Sequence, residues 1–390
     1  MFRKILSLFL VWRIGLFLTA LLASFIIPVY GNSFPYANVA LQVTNLPNWV
    51  WGFGGFDGVH YLRIAQNGYN AEFSQAFFPL YPVLINIFNV LPKNLTLDTR
   101  IFVDPTYFYI AFLISNIFLI ASLWIFYKLT RIDFNHKIAT GSMILLLSFP
   151  TAFYFGAIYT ESLFLFLILC SFYFARTNKF ILAGITGALA SATRIFGLLL
   201  VPALILEVYL KVKSREIKLK SKEFIKAVIG ILIAPAGTII YMWYLKINFS
   251  DPLYFLTSQP SFGAERSSTD IILLPQVFYR YIKIFATVPL QSHAFFSAAL
   301  EFIFSVVILI AVILLFKKIR LSYFIFIIGC LIIPTLTGTL SSMPRYVLMS
   351  FLAFPLIVSA LGNSFKYLLF SFIILQIVLL SLFIRGYWVA

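Results

Sequence analysis

Residues 294–316 read AFFSAALEFIFSVVILIAVILLF, an apolar run interrupted by Glu301 and two serines and followed by Lys317 and Lys318. A helix of about 20 apolar residues is long enough to cross a bilayer. Similar runs recur along the 390 residues, of which 62% are hydrophobic and 11% charged. A soluble domain has about a quarter charged residues. Because backbone groups in hydrocarbon must be satisfied within the segment, we predict an all-α polytopic membrane protein, residues 1–390 forming a single domain.

The basic residues orient the predicted helices. Most of the 29 Lys and Arg lie in short loops between apolar runs, which indicates a cytoplasmic N-terminus and explains the net charge of +16 without nucleic acid. The pattern predicts about eleven crossings, at 5–28, 106–128, 137–156, 160–175, 180–193, 195–210, 227–245, 294–316, 321–340, 346–361 and 366–388. Residues 29–105 and 246–293 then form two large outer loops.

This topology is consistent with the basic residues only under two further conditions. The segment 76–91 must not cross, and its Pro79 and Pro82 favour a re-entrant or surface-lying helix. Residues 180–210 must cross twice, as a short broken pair. The first run is too long for the apolar part of a typical signal peptide and carries Trp12 and Arg13 in its middle. We expect Arg13 to pair with an acid of a neighbouring helix.

The two cysteines, Cys170 and Cys330, both lie inside apolar runs. Their positions predict small core residues and no disulfide or metal site.

The first outer loop concentrates polar and aromatic residues. Residues 51–82 read WGFGGFDGVHYLRIAQNGYNAEFSQAFFPLYP and include Asp57, His60, Arg63 and Glu72. The spacing predicts a short helix over 58–67 with Asp57 at its N-cap. Asp57 is therefore either that cap or a catalytic acid or base, and both interpretations stay open. His60 is interpreted as a packing or hydrogen-bonding group, since no second His or Cys lies at metal-ligand spacing.

Three more charged residues lie near the predicted outer surface. Glu161 follows Tyr159-Thr160 at a helix start, where an acid suits the helix dipole. Arg194 interrupts the short pair, and Arg345 follows Met343-Pro344. Each arginine is either an interfacial anchor or a bidentate ligand for a lipid phosphate.

These residues fall within motifs that resemble the PIG-V-like mannosyltransferase family. The first block, the most specific, reads Asp-Gly-Val-His-Tyr-Leu-x-Ile-Ala-x-x-Gly-Tyr from Asp57 to Tyr69, followed by Glu72 and by Ala-Phe-Phe-Pro-Leu-Tyr-Pro ending at Pro82. Shorter blocks follow in order as Tyr159-Thr-Glu161, Ala192-Thr-Arg194-x-x-Gly197 and Pro344-Arg345-Tyr346. Many family members carry Trp or Arg directly before the acid, where this chain has Phe56.

The resemblance implies a GT-C glycosyltransferase with a large first extracytoplasmic loop. Such an enzyme transfers a hexose, here expected to be mannose, from a polyprenyl-phosphate sugar to a hydroxyl of a lipid or glycan acceptor, with inversion. Asp57 would be the general base, and the expected substrate-binding residues are His60, Glu72, Glu161, Arg194 and Arg345. No cofactor is required by this interpretation, and dependence on a divalent metal stays open. Membrane lipids are the other expected contacts.

Two other classes stay open on the sequence. A multi-pass flippase or transporter would also explain the helices and Arg13, although we find no internal repeat to support it. A non-catalytic membrane subunit is the second alternative. The size and the lack of a retention signal favour a prokaryotic plasma membrane, with the active site on the extracytoplasmic side.

Overall fold

The computed structural model describes residues 1–31, 36–91, 98–267 and 270–389, and within them it contains helices and turns and no strand. Parts of the two predicted outer loops, residues 32–35, 92–97 and 268–269, lie outside the described residues. The α-helices are α1 Phe2–Ile26, α2 Ala37–Ala40, α3 Asn48–Trp51, α4 Asp57–Asn67, α5 Leu80–Phe88, α6 Pro105–Thr130, α7 His136–Ser148, α8 Glu161–Arg176, α9 Phe180–Ser191, α10 Leu200–Lys213, α11 Lys222–Ile233, α12 Ala236–Phe249, α13 Tyr254–Thr257, α14 Leu274–Thr287, α15 His293–Leu315, α16 Leu321–Thr335, α17 Met343–Tyr346, α18 Phe354–Leu361 and α19 Phe365–Ile384.

Short 3-10 helices join or extend these elements. They are Gln42–Thr44, Gly52–Gly54, Ser74–Ala76, Ala152–Gly156, Ile195–Leu199, Gln259–Phe262, Val347–Ala353 and Gly362–Ser364.

Six helical stretches in the described part of the chain are long and apolar enough to cross a membrane. They are Phe2–Ile26, Pro105–Thr130, Ile195–Lys213, Lys222–Phe249, His293–Leu315 and Met343–Ile384. Phe180–Ser191 and Leu321–Thr335 are shorter apolar helices. The prediction of a polytopic all-α membrane protein is confirmed, and the count of eleven crossings stays a prediction. The nine residues of α5 are too few to span a bilayer, which agrees with a non-crossing 76–91 segment.

The chain divides into two compact units, residues 1–169 with 361–388 and residues 170–360 with 389–390. In the first unit, hydrogen bonds from α19 and its end hold distant segments. The Gln376 amide donates to the carbonyls of Leu147 and Phe149, at 2.9 and 2.8 Å. The Arg385 guanidinium donates to the carbonyl of Ile27 and the side chain of Asn48, each at 2.8 Å. These residues near the end of α19 therefore fix where the first predicted outer loop begins.

The short helix α4 is anchored at its C-terminal half. The Gln66 side chain accepts from the backbone N–H of Asp104 at 2.7 Å and donates to the carbonyl of Phe102 at 2.9 Å. Asp104 in turn caps α6 by accepting from the N–H of Thr106. The side-chain amide of Asn86, which belongs to α5, donates to the carbonyl of Ala65. This anchoring fixes the direction in which α4 presents its first residue, Asp57.

The second unit has a buried ion network around Glu207 of α10, which is 0% exposed. The Arg320 guanidinium donates to both carboxylate oxygens of Glu207, at 2.8 and 2.7 Å. The Ser322 hydroxyl donates at 2.8 Å, and Arg176 lies 3.8 Å away. Because Arg320 and Ser322 donate to its oxygens and Arg176 lies nearby, this carboxylate joins α8, α10 and α16. Cys170 and Cys330 are free and buried, as predicted.

Candidate active site in two parts

Asp57 is the first residue of α4, and the N-cap position belongs to Phe56. The prediction that Asp57 is the N-cap is therefore wrong by one residue. Phe56 has φ 56° and ψ −119°, a left-handed conformation that L residues seldom adopt. The Phe56 ring packs against Phe383 and Trp388, with centroids 5.5 and 5.2 Å apart. These contacts hold the unusual backbone that turns the chain into Asp57, and strained backbone of this kind is concentrated at functional sites.

The residues before Asp57 are tied to the second motif block. The N–H of Ile158 donates to the carbonyl of Phe53 at 2.9 Å. The Tyr159 hydroxyl donates to the carbonyl of Gly55 at 2.9 Å. A Cβ at Gly54 would lie 2.7 Å from a terminal carbon of the Leu41 side chain, so a larger residue there would require Leu41 to shift. We call residues 52–57 the Asp57 turn.

Glu161 begins α8, as predicted, and is fully buried. It lies within electrostatic range of Tyr81, whose phenol pKa is raised mainly by burial, with a hydrogen bond to Ser115 opposing the rise and the charges of Tyr61 and Glu161 adding to it. The Tyr61 ring contacts both Tyr81 and Tyr159, at centroid distances of 5.4 and 6.5 Å. The first two motif blocks therefore form one aromatic cluster with the carboxyl groups of Asp57 and Glu161 at two helix starts.

His60 lies one turn along α4 from Asp57 and stacks on Phe77, with centroids 4.7 Å apart. Burial lowers the pKa of His60 from its ordinary value of 6.5, the charge of Asp57 opposes that shift, and the charge of Arg63 reinforces it. His60 is therefore neutral at pH 7 and keeps both a donor and an acceptor nitrogen. Glu72 is exposed in the turn after α4, and within the described residues no hydrogen bond or ion pair joins it to the cluster.

Arg13 is also part of this unit, but its partner is not the expected acid. Its guanidinium carbon lies 4.5, 4.6 and 4.4 Å from the ring centroids of Phe17, Phe53 and Phe112. Among the described residues its three nitrogens have no hydrogen-bond acceptor. A Cβ at Gly156 would lie 2.3 Å from one of these nitrogens. Aromatic faces thus replace the predicted ion pair, and one of them, Phe53, belongs to the Asp57 turn.

Arg194 and Arg345 come together in the second unit. Arg194 lies in the turn between α9 and Ile195–Leu199, as predicted, and Arg345 belongs to α17. Their guanidinium carbons lie 5.5 and 5.7 Å from the centroid of the Tyr346 ring. Arg345 is 7% exposed, which argues against the interpretation of a lipid-facing anchor. The third and fourth motif blocks therefore form one pair of cations around a single aromatic ring.

The residues that hold the segment before Arg345 were not predicted from the sequence. The Tyr281 hydroxyl donates to the buried carboxylate of Glu301 and accepts from the N–H of Leu340 at 3.1 Å. The N–H of Ser342, whose φ is 66°, also donates to Glu301. Glu301 is the single acid of the run 294–316, which was the available signal. We call Tyr281 and Glu301 the Arg345 clamp.

The candidate residues thus fall into two groups, each within one unit. Asp57, His60 and Glu161 share the first, and Arg194 and Arg345 share the second. Within the ranges that the structure describes, no group of three or more His, Cys, Asp or Glu is placed to hold a metal ion.

Comparison with known proteins agrees with the motif blocks. A sequence model of the mannosyltransferase (PIG-V) family matches residues 2–246. The chain belongs to the PIG-V family. It is also 27% identical over 184 residues to GPI mannosyltransferase 2 of Drosophila pseudoobscura pseudoobscura. That match covers 43% of this chain and 39% of the relative, so the chain spans less than half of that relative's length.

The range matched to the PIG-V family contains five of the predicted site residues, Asp57, His60, Glu72, Glu161 and Arg194. Arg345 lies C-terminal to the matched range. The resemblance predicted from the motifs is therefore confirmed as family membership.

Proposed function

We propose that this PIG-V family member transfers mannose from a polyprenyl-phosphate mannose to a hydroxyl of a glycolipid or glycan acceptor, on the extracytoplasmic side and with inversion. Family membership supports mannose transfer. The observation that carries the proposal is the Asp57 turn, where a half-buried carboxylate begins a helix after a left-handed Phe56 and the backbone is held by Ile158 and Tyr159. A base must be held within hydrogen-bond reach of the proton that it removes.

The proposed step is a single displacement. The Asp57 carboxylate takes the proton of the acceptor hydroxyl, and the acceptor oxygen forms a bond to the anomeric carbon of the donor. The bond from that carbon to the phosphate oxygen breaks, and its electron pair leaves with the polyprenyl phosphate. General base catalysis of this kind contributes about 10²–10⁴-fold in rate.

The leaving phosphate gains negative charge, so it needs fixed positive charge more than it needs an acid. Arg194 and Arg345 are the proposed source. Their placement around Tyr346 supports this role, because one ring holds both guanidinium groups and limits their movement. A guanidinium also presents two parallel N–H donors to a phosphate, which a lysine does not.

The other residues are proposed to bind sugar hydroxyls. His60, beside Asp57 on α4, is proposed to hydrogen-bond a sugar hydroxyl through its neutral imidazole. Glu161 lies in the same aromatic cluster and would accept from a sugar hydroxyl or orient the Tyr61 and Tyr81 rings. Glu72, which is exposed, would contact the acceptor from the turn after α4. The cytoplasmic N-terminus and the outward position of the Asp57 turn follow from the distribution of basic residues.

The test uses the purified full chain in lipid nanodiscs. Mannose-labelled polyprenyl-phosphate mannose and labelled GDP-mannose are supplied separately, with a total glycolipid extract as acceptor. We expect label to appear in the glycolipid fraction, and polyprenyl phosphate to be released, with the lipid-linked donor alone. Transfer from GDP-mannose would refute the proposed donor. In proteoliposomes, movement of the lipid-linked donor across the bilayer without transfer would indicate a flippase.

A further inference from the structure

Arg63 lies on α4 six residues after Asp57, at the first of three positions that the first motif block leaves open. Its guanidinium carbon lies 4.1 Å from the ring centroid of Tyr36. Arg63 is half-buried, whereas Tyr36 is 45% exposed. A cation stacked at this distance on an aromatic face keeps its N–H donors at the edge of the stack, where a ligand can reach them.

The donors of Arg63 are uncommitted within the described residues, and this distinguishes it from other arginines of the outer segments. Arg100 pairs with Asp98 at 3.5 Å, Arg280 with Glu265 at 2.6 Å, and Arg385 donates to Asn48 at 2.8 Å. Across the described parts of the chain, the Arg63 guanidinium contacts the Tyr36 ring, and its charge acts on His60. A cation held by a ring and by no carboxylate remains available to bind an anion.

Tyr36 is exposed but its backbone is fixed. Its φ is 71°, and its carbonyl accepts from the N–H groups of Val39 and Ala40 at 3.1 and 3.0 Å. Its ring also makes an edge contact with His60, at a centroid distance of 6.4 Å. The rings of Tyr36, His60 and Phe77 thus form a continuous series beside Asp57. An exposed ring held in one position suits stacking on the face of a sugar.

We propose that Arg63 and Tyr36 form an acceptor subsite that recognises an anionic glycolipid, with Arg63 binding a phosphate of the acceptor and Tyr36 stacking on one of its sugars. This inference rests on the proposed function of Asp57. Six residues of helix separate Arg63 from Asp57 by about 9 Å along the axis. Six residues also turn the helix by about 600°, which leaves the two side chains about 120° apart around α4. An acceptor that reaches both therefore needs its phosphate at least two sugar units from the hydroxyl that is glycosylated.

The same guanidinium chemistry would also bind the headgroup of an anionic bilayer lipid, so the experiment must separate the two sources. Binding is measured to the purified full chain in nanodiscs of zwitterionic lipid, with octyl α-mannoside and with the same glycoside carrying a phosphate monoester. A third arm adds phosphatidylglycerol to the nanodiscs. The variants are Arg63→Ala, Arg63→Lys and Tyr36→Ala, and the matched control is Arg100→Ala, which removes an outer-loop arginine that is already paired.

We expect the wild-type chain to bind the phosphorylated glycoside about tenfold more tightly than the neutral one, as a charge-assisted pair implies. Arg63→Ala should abolish this preference, Arg63→Lys should retain part of it, and Arg100→Ala should leave it unchanged. Tyr36→Ala should weaken binding of both glycosides. Phosphatidylglycerol should not compete.

Three results would overturn the subsite. They are equal or undetectable binding of the two glycosides, a preference that survives Arg63→Ala, and loss of the preference when phosphatidylglycerol is present. Asp57→Asn separates this inference from the proposed function. If Asp57→Asn retains transfer while the Arg63-dependent preference holds, the proposed base is wrong and the anion subsite stands. If Asp57→Asn loses transfer but the wild-type chain shows no preference for the phosphorylated glycoside, the proposed base stands and the anion subsite is wrong.

Discussion

The hydroxyl of Tyr159 donates a 2.9 Å hydrogen bond to the carbonyl oxygen of Gly55, across a separation of 104 residues in the chain. Gly55 precedes Asp57 by two residues, and Tyr159 precedes Glu161 by two. This one bond therefore joins the segments that lead into two carboxylates of the first unit, the half-buried Asp57 and the buried Glu161. Motif blocks that are far apart in the sequence become one structure through it.

Replacing Tyr159 with Phe should loosen the Asp57 turn without leaving a cavity in the core. The ring and its contacts with Tyr61 and Tyr154 remain, while the Gly55 carbonyl loses its donor. We expect a loss of about 0.5–1.5 kcal/mol in the free energy of unfolding and a fall in kcat of about two- to tenfold. Transfer kinetics and thermal unfolding measure both effects. Tyr127→Phe, which removes a bond to His136 elsewhere, is the control and should keep wild-type kcat.

Weakening the Arg345 clamp should weaken binding of the lipid donor. The Glu301 carboxylate accepts from both Tyr281 and Ser342, and burial, reinforced by the charge of Glu301, raises the pKa of the Tyr281 phenol. A Gln at position 301 presents an NH₂ group to one of these two donors. Glu301→Gln should therefore raise KM for the lipid donor by about three- to tenfold and change kcat less. Glu265→Gln, at an exposed pair with Arg280, should leave KM unchanged. Equal effects of the two variants on KM would show that the Arg345 clamp does not position the donor-binding residues.

The lowered pKa of His60 should make the stability of the protein depend on pH. Its pKa in the folded protein is below its ordinary value of 6.5, chiefly because it is buried. As the pH falls below 6.5, the unfolded chain takes up a proton that the folded protein does not, so stability declines with falling pH in that window. His60→Gln should remove this contribution. We expect the difference in Tm between about pH 8 and pH 5.5 to be smaller in the variant, and an unchanged difference would show that His60 does not contribute.

A substitution in the buried Glu207 network should destabilise the protein more than one in an exposed ion pair. Glu207→Ala leaves Arg176 and Arg320 without their buried partner, and removing one member of a buried pair costs about 3–5 kcal/mol. Glu216→Gln removes a pair with Lys211 in which the acid is 53% exposed, and it should cost less than about 1 kcal/mol. Thermal unfolding in detergent compares the two. Similar Tm values would contradict a structural role for the Glu207 network.

Much of the architecture was predictable because its signals are local. Long apolar runs predict spanning helices, the acid at position 161 marks a helix start, and Arg194 interrupts a short apolar pair. Motif blocks also identified the candidate residues, and five of them lie in the range matched to the PIG-V family.

The errors arise from contacts between segments that are distant in the sequence. Asp57 is not the N-cap because Phe56 adopts a left-handed backbone, and the rings that hold it there, Phe383 and Trp388, come from the other end of the chain. Arg13 was expected to pair with an acid, but three aromatic rings surround it. Periodicity and residue spacing carry no information about such partners.

The proposed mechanism depends on Asp57 as the proton acceptor, and the Asp57→Asn variant tests this role. Asn is nearly isosteric with Asp, so the turn and α4 should persist, while the side chain can no longer accept a proton. With labelled polyprenyl-phosphate mannose as donor, we expect turnover to fall by about 10²–10⁴-fold while Tm and donor binding stay close to wild type. A folded Asp57→Asn protein that keeps more than about a tenth of wild-type turnover would contradict it.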